Sequence, residues 1–159
     1  MSEEQQAGNE PQFLIQRIYT KDLSFESPNA PQVFVENWTP EVNVGIKTDI
    51  QTVGEDTYEV VLTVTVEARH EDHTIYLVEV HQAGIFLARN IPDEQLRPLL
   101  GIGGPNALLP YVREIISDLT TRGTFPPFLL QPVNFEAMYA QQMAQEQGTT
   151  ESAPESQPH

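Results

Sequence analysis

Apolar and polar residues alternate through three segments in the first half of the chain, at positions 42–51, 58–68 and 74–82. Alternation with a period of two is typical of β-strands. The segment 58–68 is the clearest, because its β-branched residues favour a strand over a helix. A shorter apolar run at 13–19 predicts one more strand before these three. The clearest strand presents one apolar face, made of Tyr58, Val60, Leu62, Val64, Val66 and Ala68.

Short polar turns separate the last three predicted strands. The residues Gly-Glu-Asp at 54–56 and Glu-Asp at 71–72 interrupt the alternation. Strands joined by turns this short pair as antiparallel neighbours. Ahead of them, the two prolines of segment 27–32 predict a loop. The first half is therefore expected to form an antiparallel sheet.

The second half has the three-and-four spacing of apolar residues that is typical of helices. The main helix is predicted to follow an N-cap at Asn106 and to end near Gly123. A shorter helix is predicted at 92–100, and a last helix, capped by Asn134, through Met143. Strands followed by helices predict an α+β fold, with helices packed on one face of a four-stranded antiparallel sheet.

The last predicted strand is apolar on both of its faces. Leu77 lies on one face, Val78 and Val80 lie on the other, and Val61 adds an apolar residue to the polar face of the strand before. A single small chain covers only one sheet face well, so the second apolar stripe is expected to meet another subunit. The pattern therefore predicts a homo-oligomer.

The two ends of the chain differ from the middle in composition. Residues 1–11 are polar and acidic, and residues 148–159 contain Gly, Ser, Thr, Pro and Glu without a large apolar side chain. Such segments bury too little apolar surface to offset the entropy of ordering. We expect disordered acidic tails at 1–11 and 148–159 around one domain at 12–147.

The charge of the chain narrows the classes of partner. Eight Lys and Arg against 23 Asp and Glu give a formal charge of −15, which disfavours nucleic acid and anionic membranes and attracts basic polypeptides. The same charge could instead serve solubility alone. The chain has no cysteine and no apolar run long enough to span a membrane, so a cytoplasmic location without membrane insertion is expected.

Candidate chemistry is weak throughout the sequence. His70 and His73 flank two acids in one turn, but no third remote ligand suggests a metal site. The glycines at 101–104 lack the Lys-Ser or Lys-Thr of a phosphate loop. Asp22 and Glu26 lack the surroundings of an acid and base pair, and no serine has a histidine partner at a known spacing. We expect no enzyme activity, no metal and no cofactor.

Bulky apolar residues also occur where burial is not obvious. Phe34 and Trp38 lie in the proline-rich connection, and Phe125 follows the main helix. One interpretation is that they complete the core. The other is a groove that accepts extended apolar peptide through sequence-tolerant aromatic contacts. The groove candidates are Phe34, Trp38, Val42, Val44, Ile46 and Phe125.

Several segments in order resemble one family, the SecB protein-export chaperones. They are IQRIYTKDLSFE at 15–26, YEVVLTVTVEA at 58–68, residues 79–86, and the segment 122–139 with RGTFP and PVNF. The resemblance extends over residues 13–145. Its specificity comes from unrelated segments occurring in the correct order.

The resemblance implies a homotetramer, built as a dimer of dimers, that holds unfolded precursor polypeptides without ATP. It also implies delivery of these precursors to the translocation motor SecA. Family positions for SecA docking fall on Asp22, Glu26, Leu77 and Glu79. The oligomer interface is expected at Tyr19, Val78, Val80 and Gln82.

Two alternatives remain open at this point. A SecB-like chaperone could serve one dedicated client, such as an antitoxin, instead of general export. A protein of another class, an enzyme or a small-ligand-binding protein, could use the same aromatic groove.

Overall fold

The computed structural model describes residues 8–151, with side chains described as far as Gly148. Most of the expected N-terminal tail, and residues 152–159 of the expected C-terminal tail, lie outside the described residues. The expected domain boundary at 147 falls inside a helix that continues to Glu151.

Four long strands form one antiparallel sheet. They are β1 (Gln12–Glu26), β2 (Glu41–Gly54), β3 (Thr57–His70) and β4 (His73–Arg89), in the order β1-β4-β3-β2. Consecutive strands β2, β3 and β4 form the predicted meander, and β1 pairs with β4. The predicted antiparallel sheet is confirmed, and β1 is longer than the predicted 13–19 strand.

Both predicted hairpin turns are present. Two residues connect β2 to β3 and two connect β3 to β4. Asp56 and Glu71 adopt positive φ angles of 52° and 53° in these turns. Aspartate tolerates this left-handed conformation better than most residues, which suits the first turn.

Three α-helices follow the sheet. They are α1 (Asp93–Pro98), α2 (Gly104–Arg122) and α3 (Phe135–Glu151), and a π-helical turn at Leu99–Gly103 joins α1 to α2. The predicted start of the main helix was wrong, because this turn continues the helical backbone into α2. Asn106 therefore lies inside α2 and caps nothing.

The cap predicted for the last helix is confirmed. The Ala137 backbone N–H donates to the Asn134 side-chain oxygen at 3.0 Å, which satisfies one of the free N–H groups at the start of α3. The acidic Glu136 in the first turn of α3 also suits the positive end of the helix dipole.

The core lies between α2 and the two central strands, β3 and β4. Leu108, Val112 and Ile116 of α2 are fully buried. They cover the apolar stripe predicted on β3, which is fully buried from Val60 to Ala68. We call this side of the sheet the covered face and the other side the open face.

The end of α2 packs tightly against β1. A methyl group placed on Gly123 would collide with the Phe25 ring and lie 2.9 Å from Cδ2 of Phe125. We expect Gly123→Ala to lower the free energy of unfolding by about 1–3 kcal/mol, because these rings cannot yield without losing their packing. Urea unfolding measures this change.

Gly148→Ala is the matched control, because among the described residues nothing lies within 4 Å of the added methyl group. This substitution should leave stability unchanged or raise it slightly, since alanine is the better helix former. Equal stability of both variants would contradict the close packing of Gly123 on Phe25.

Candidate functional site: an acidic open face and an apolar groove

Residues that alternate along the strands divide between the two faces. On β4, Val78, Val80 and Gln82 point to the covered face, while Leu77 and Glu79 point to the open face. β3 places Val61 on the open face. The apolar residues of the open face thus belong to a surface that none of the described helices covers.

The four residues expected to dock SecA lie on two adjacent strands of the open face. Glu26 of β1 is opposite Leu77 of β4, and Ser24 is opposite Glu79. Asp22 lies opposite His81, two positions further along β4. Leu77 therefore has Glu26 and Glu79 as neighbours, and Asp22 lies further along the same two strands. We call this set the acidic patch: Asp22, Glu26, Leu77 and Glu79.

His81 holds one carboxylate of the acidic patch in place. Its Nε2 lies 2.8 Å from the Glu79 carboxylate, and its Nδ1 lies 3.1 Å from the Thr63 hydroxyl. Both nitrogens are thus engaged, which restricts rotation of the imidazole ring. A carboxylate with a fixed partner presents its remaining lone pairs in a defined direction.

An aromatic cluster forms beyond the C-terminal end of α2, on the covered side. Phe125 is its centre, with ring centroids 5.0 Å from Tyr76, 5.8 Å from Phe34 and 6.0 Å from Trp38. The Trp38 Nε1–H donates to the Val33 carbonyl at 2.8 Å. Aromatic pairs at such distances add to the energy of area burial.

Burial differs sharply between members of this cluster. Phe125 is only 5% exposed, whereas Phe34, which stacks on it, is 52% exposed. The two interpretations of these aromatic residues therefore apply to different residues. Phe125 completes the core, and Phe34 presents apolar surface to solvent.

Edge strand β2 extends this apolar surface. Val42 and Val44 point to the covered face but are 39% and 43% exposed, because α2 packs over β3, β4 and β1 instead. Val42 shares a row across the sheet with Ala68 and Tyr76. The six groove candidates therefore lie on one side of the sheet, and we call them the apolar groove: Phe34, Trp38, Val42, Val44, Ile46 and Phe125.

Two members of the aromatic cluster were missed by sequence reasoning. Phe25 lies 6.4 Å from Phe125, and Tyr76 contacts both rings. Phe25 was overlooked because the first strand was predicted to end at Tyr19. Tyr76 lies inside the predicted strand at 74–82 and was not singled out there.

The residues expected at the oligomer interface do not form one surface. Val78 and Val80 are fully buried beneath the helices, and Gln82 is nearly so. Tyr19 lies on the open face, where its hydroxyl bonds Glu59. The two valines therefore complete the core of a single chain.

A buried carboxylate occupies the open face beside the acidic patch. Glu59 is 6% exposed and accepts hydrogen bonds from Tyr19, from Lys21 at 2.9 Å and from Gln51 at 2.9 Å. Burial would raise the pKa of Glu59, but these three donors and the positive charge of Lys21 outweigh it and lower that pKa. Burial and the bond to Glu59 raise the pKa of Tyr19 to about 12.

The described residues hold no group of three or more potential metal ligands. The imidazole of His70 lies close to the backbone of Thr39, at the entry to β2. No described helix is long and apolar enough to cross a membrane.

The architecture defines a class of protein. Its structure resembles that of a Mycobacterium tuberculosis SecB-like chaperone solved in complex with a peptide from an antitoxin, with a TM-score of 0.64 at 18% identity. The likeness covers 77% of this chain and 91% of that one. The fold is therefore that of a SecB-like chaperone.

Sequence comparisons place the chain more narrowly. The protein-export protein SecB of Alcanivorax borkumensis is 51% identical over 158 residues, covering 98% of each chain. That of Dechloromonas aromatica is 48% identical over 147 residues, covering 92% of this chain and 97% of the relative. A family model described as preprotein translocase subunit SecB matches residues 5–146. The chain belongs to the SecB family, as its sequence motifs predicted.

Proposed function

We propose that this chain is a cytoplasmic export chaperone that holds unfolded precursor polypeptides in the apolar groove and presents them to SecA through the acidic patch. The observation that carries the proposal is the separation of two surfaces. The apolar groove lies on the covered side of the sheet, and the acidic patch lies on the open side. Client and motor can therefore bind at the same time.

The groove suits extended chains without a fixed sequence. Its exposed apolar residues include valines on an edge strand and an aromatic ring, none of which reads a particular polar group. Affinity then comes from many weak contacts along the client and across several subunits. Binding of this kind requires no nucleotide and no bond chemistry.

The acidic patch suits a basic partner. Three carboxylates lie along two adjacent strands, and Leu77 beside Glu26 and Glu79 offers an apolar contact. Complementary charge speeds encounter and selects the partner, while the apolar side chain adds affinity once water leaves. SecA is the partner that family membership supports.

Assembly into a homotetramer, as a dimer of dimers, is part of the same proposal. β1 is one edge of the described sheet and exposes Leu14, Ile15 and Leu23. Exposed apolar residues on a strand edge invite pairing with a second chain. A second copy would cover them, and several copies would line up several grooves for one client.

The test measures whether the chain keeps an unfolded precursor from aggregating in the absence of ATP. We expect full protection by the wild type and at least about fivefold weaker client binding by the double variant Val42→Ser, Val44→Ser, because each change removes exposed methyl groups from the groove floor. Light scattering follows aggregation, and fluorescence titration gives client affinity.

Val53→Ser is the matched control, since Val53 is slightly more exposed than the two groove valines but lies at the turn end of β2. It should bind client like the wild type. Equal affinity of the double variant and the control would exclude the groove as the client site. Recovery of one folded partner from cytosol, without precursors, would instead favour a dedicated client such as an antitoxin.

A further inference from the structure

One irregularity in β1 determines where the acidic patch lies. Thr20 is opposite Gln82 and Asp22 is opposite His81, so two steps along β1 match one step along β4. Lys21 is the extra residue of this β-bulge. Under strict alternation, Asp22 would share the covered face with Thr20.

The bulge therefore changes which side chains reach the open face. Beyond it, Asp22, Ser24 and Glu26 point outward, where Leu77 and Glu79 also lie. Without the extra residue, the two acids of β1 would point towards the helices. The acidic patch exists as one surface only because the bulge sits between Thr20 and Asp22.

Side chains on both faces hold the bulge. On the covered side, the Thr20 hydroxyl donates to the Gln82 side chain at 3.0 Å. On the open side, the Lys21 ammonium reaches across β4 to both oxygens of Glu59, at 2.9 and 3.1 Å. The ion pair joins an edge strand to a central strand that it does not touch through backbone pairing.

The carboxylate end of this ion pair is fixed independently of Lys21. Glu59 is buried and also accepts from Gln51 of β2 and from Tyr19 of β1. Ala83 of β4 lies between Tyr19 and Val61 on the open face, and its small side chain leaves room for longer ones to cross. A buried, multiply bonded carboxylate is a firm anchor for an ammonium group.

We propose that Lys21 and Glu59 are positioning residues of the acidic patch: their ion pair fixes the bulge and so aims Asp22 and Glu26 at the basic partner. This inference rests on the proposed docking of SecA. Lys21, a positive residue beside the acidic patch, thereby has a role that favours a basic partner.

The sign of one substitution tests the inference. If Lys21 acted only through its charge, Lys21→Met would make the surface more acidic and tighten SecA binding. If Lys21 positions the two acids, the same change weakens binding, and we expect about tenfold. Isothermal titration of the full-length chain with SecA measures the affinity.

Lys47→Met is the matched control. Lys47 is on the open face too, but its ion pair is with its exposed neighbour Asp49 at 3.3 Å. This variant should bind SecA as tightly as the wild type or more tightly. Lys21→Arg keeps the ion pair with Glu59 and should bind SecA like the wild type. Glu59→Gln removes the negative partner of Lys21 and should weaken SecA binding.

A second measurement separates positioning from general loss of structure. Amide hydrogen exchange in residues 22–26 should be faster in Lys21→Met than in Lys47→Met, while client protection and native mass stay unchanged. Equal exchange and equal SecA affinity in these two variants would overturn the inference. A wild-type chain that fails to bind SecA would overturn the docking proposal itself.

Discussion

Val78→Asp is expected to cost most of the stability of the fold. Val78 is fully buried on the covered face, with Val66 beside it on β3 and Phe25 beside it on β1. None of the described buried residues is a cation that could pair with a carboxylate there, so we expect a loss of roughly 3–5 kcal/mol in the free energy of unfolding. Urea unfolding followed by circular dichroism measures it.

Leu77→Asp is the control for this prediction, because Leu77 is the next residue and points to the open face. We expect its effect on stability to stay within about 1 kcal/mol, since the new carboxylate remains in water. Native mass should be measured for both variants. A Val78→Asp chain with wild-type stability and only a smaller assembly would show that Val78 faces a second subunit.

The alternation of β3 predicted its buried face correctly. Val60, Leu62 and Val64 are fully buried, because the helix that follows the sheet has one apolar stripe and needs a surface of this kind. The buried face of β4 was harder to predict, since both faces of this strand are apolar. The sequence pattern predicted that Val78 and Val80 contact a partner subunit. In the structure they are buried in the core of their own chain.

The periodicity of apolar residues could not predict the β-bulge in β1. The predicted first strand stopped at Tyr19, where the apolar run ends, although pairing continues past the bulge at Lys21 to Glu26. The extra residue is recognised only from the pairing of β1 with β4, which is distant in sequence. The signal available in the sequence was the resumed alternation of Leu23 and Phe25.

The glycines at 101–104 join α1 to α2 within a helical backbone. A methyl group on Gly101 would lie 2.9 Å from the ring of Tyr139, and one on Gly104 would lie 2.9 Å from Val60. These glycines allow close packing rather than a turn, and such contacts depend on residues far along the chain.

The fold groups the candidate site residues, while their roles stay predictions. Six groove residues chosen from the sequence lie on one side of the sheet, and four docking residues lie together on the other. Glu59 was not singled out from the sequence, because no local pattern reveals that a lysine of another strand reaches it. Long-range ion pairs of this kind appear only once the sheet order is known.

Glu79→Lys is expected to abolish SecA binding while leaving the fold intact. The new ammonium would stand between two remaining acids of the patch and beside His81, and it would repel a basic partner. We expect a loss of affinity of about a hundredfold or more, because a like charge placed at a contact costs several kcal/mol. Titration calorimetry with SecA measures this loss.

Glu55→Lys changes the net charge by the same amount at the exposed turn between β2 and β3. Long-range attraction of a basic partner should fall equally in both variants, so the difference between them reports contact at Glu79 alone. Client protection should stay at the wild-type level in both, because the apolar groove lies on the other face. Similar SecA affinities for the two variants would show that the patch acts only through net charge, and the open face would then lose its role as a specific docking surface.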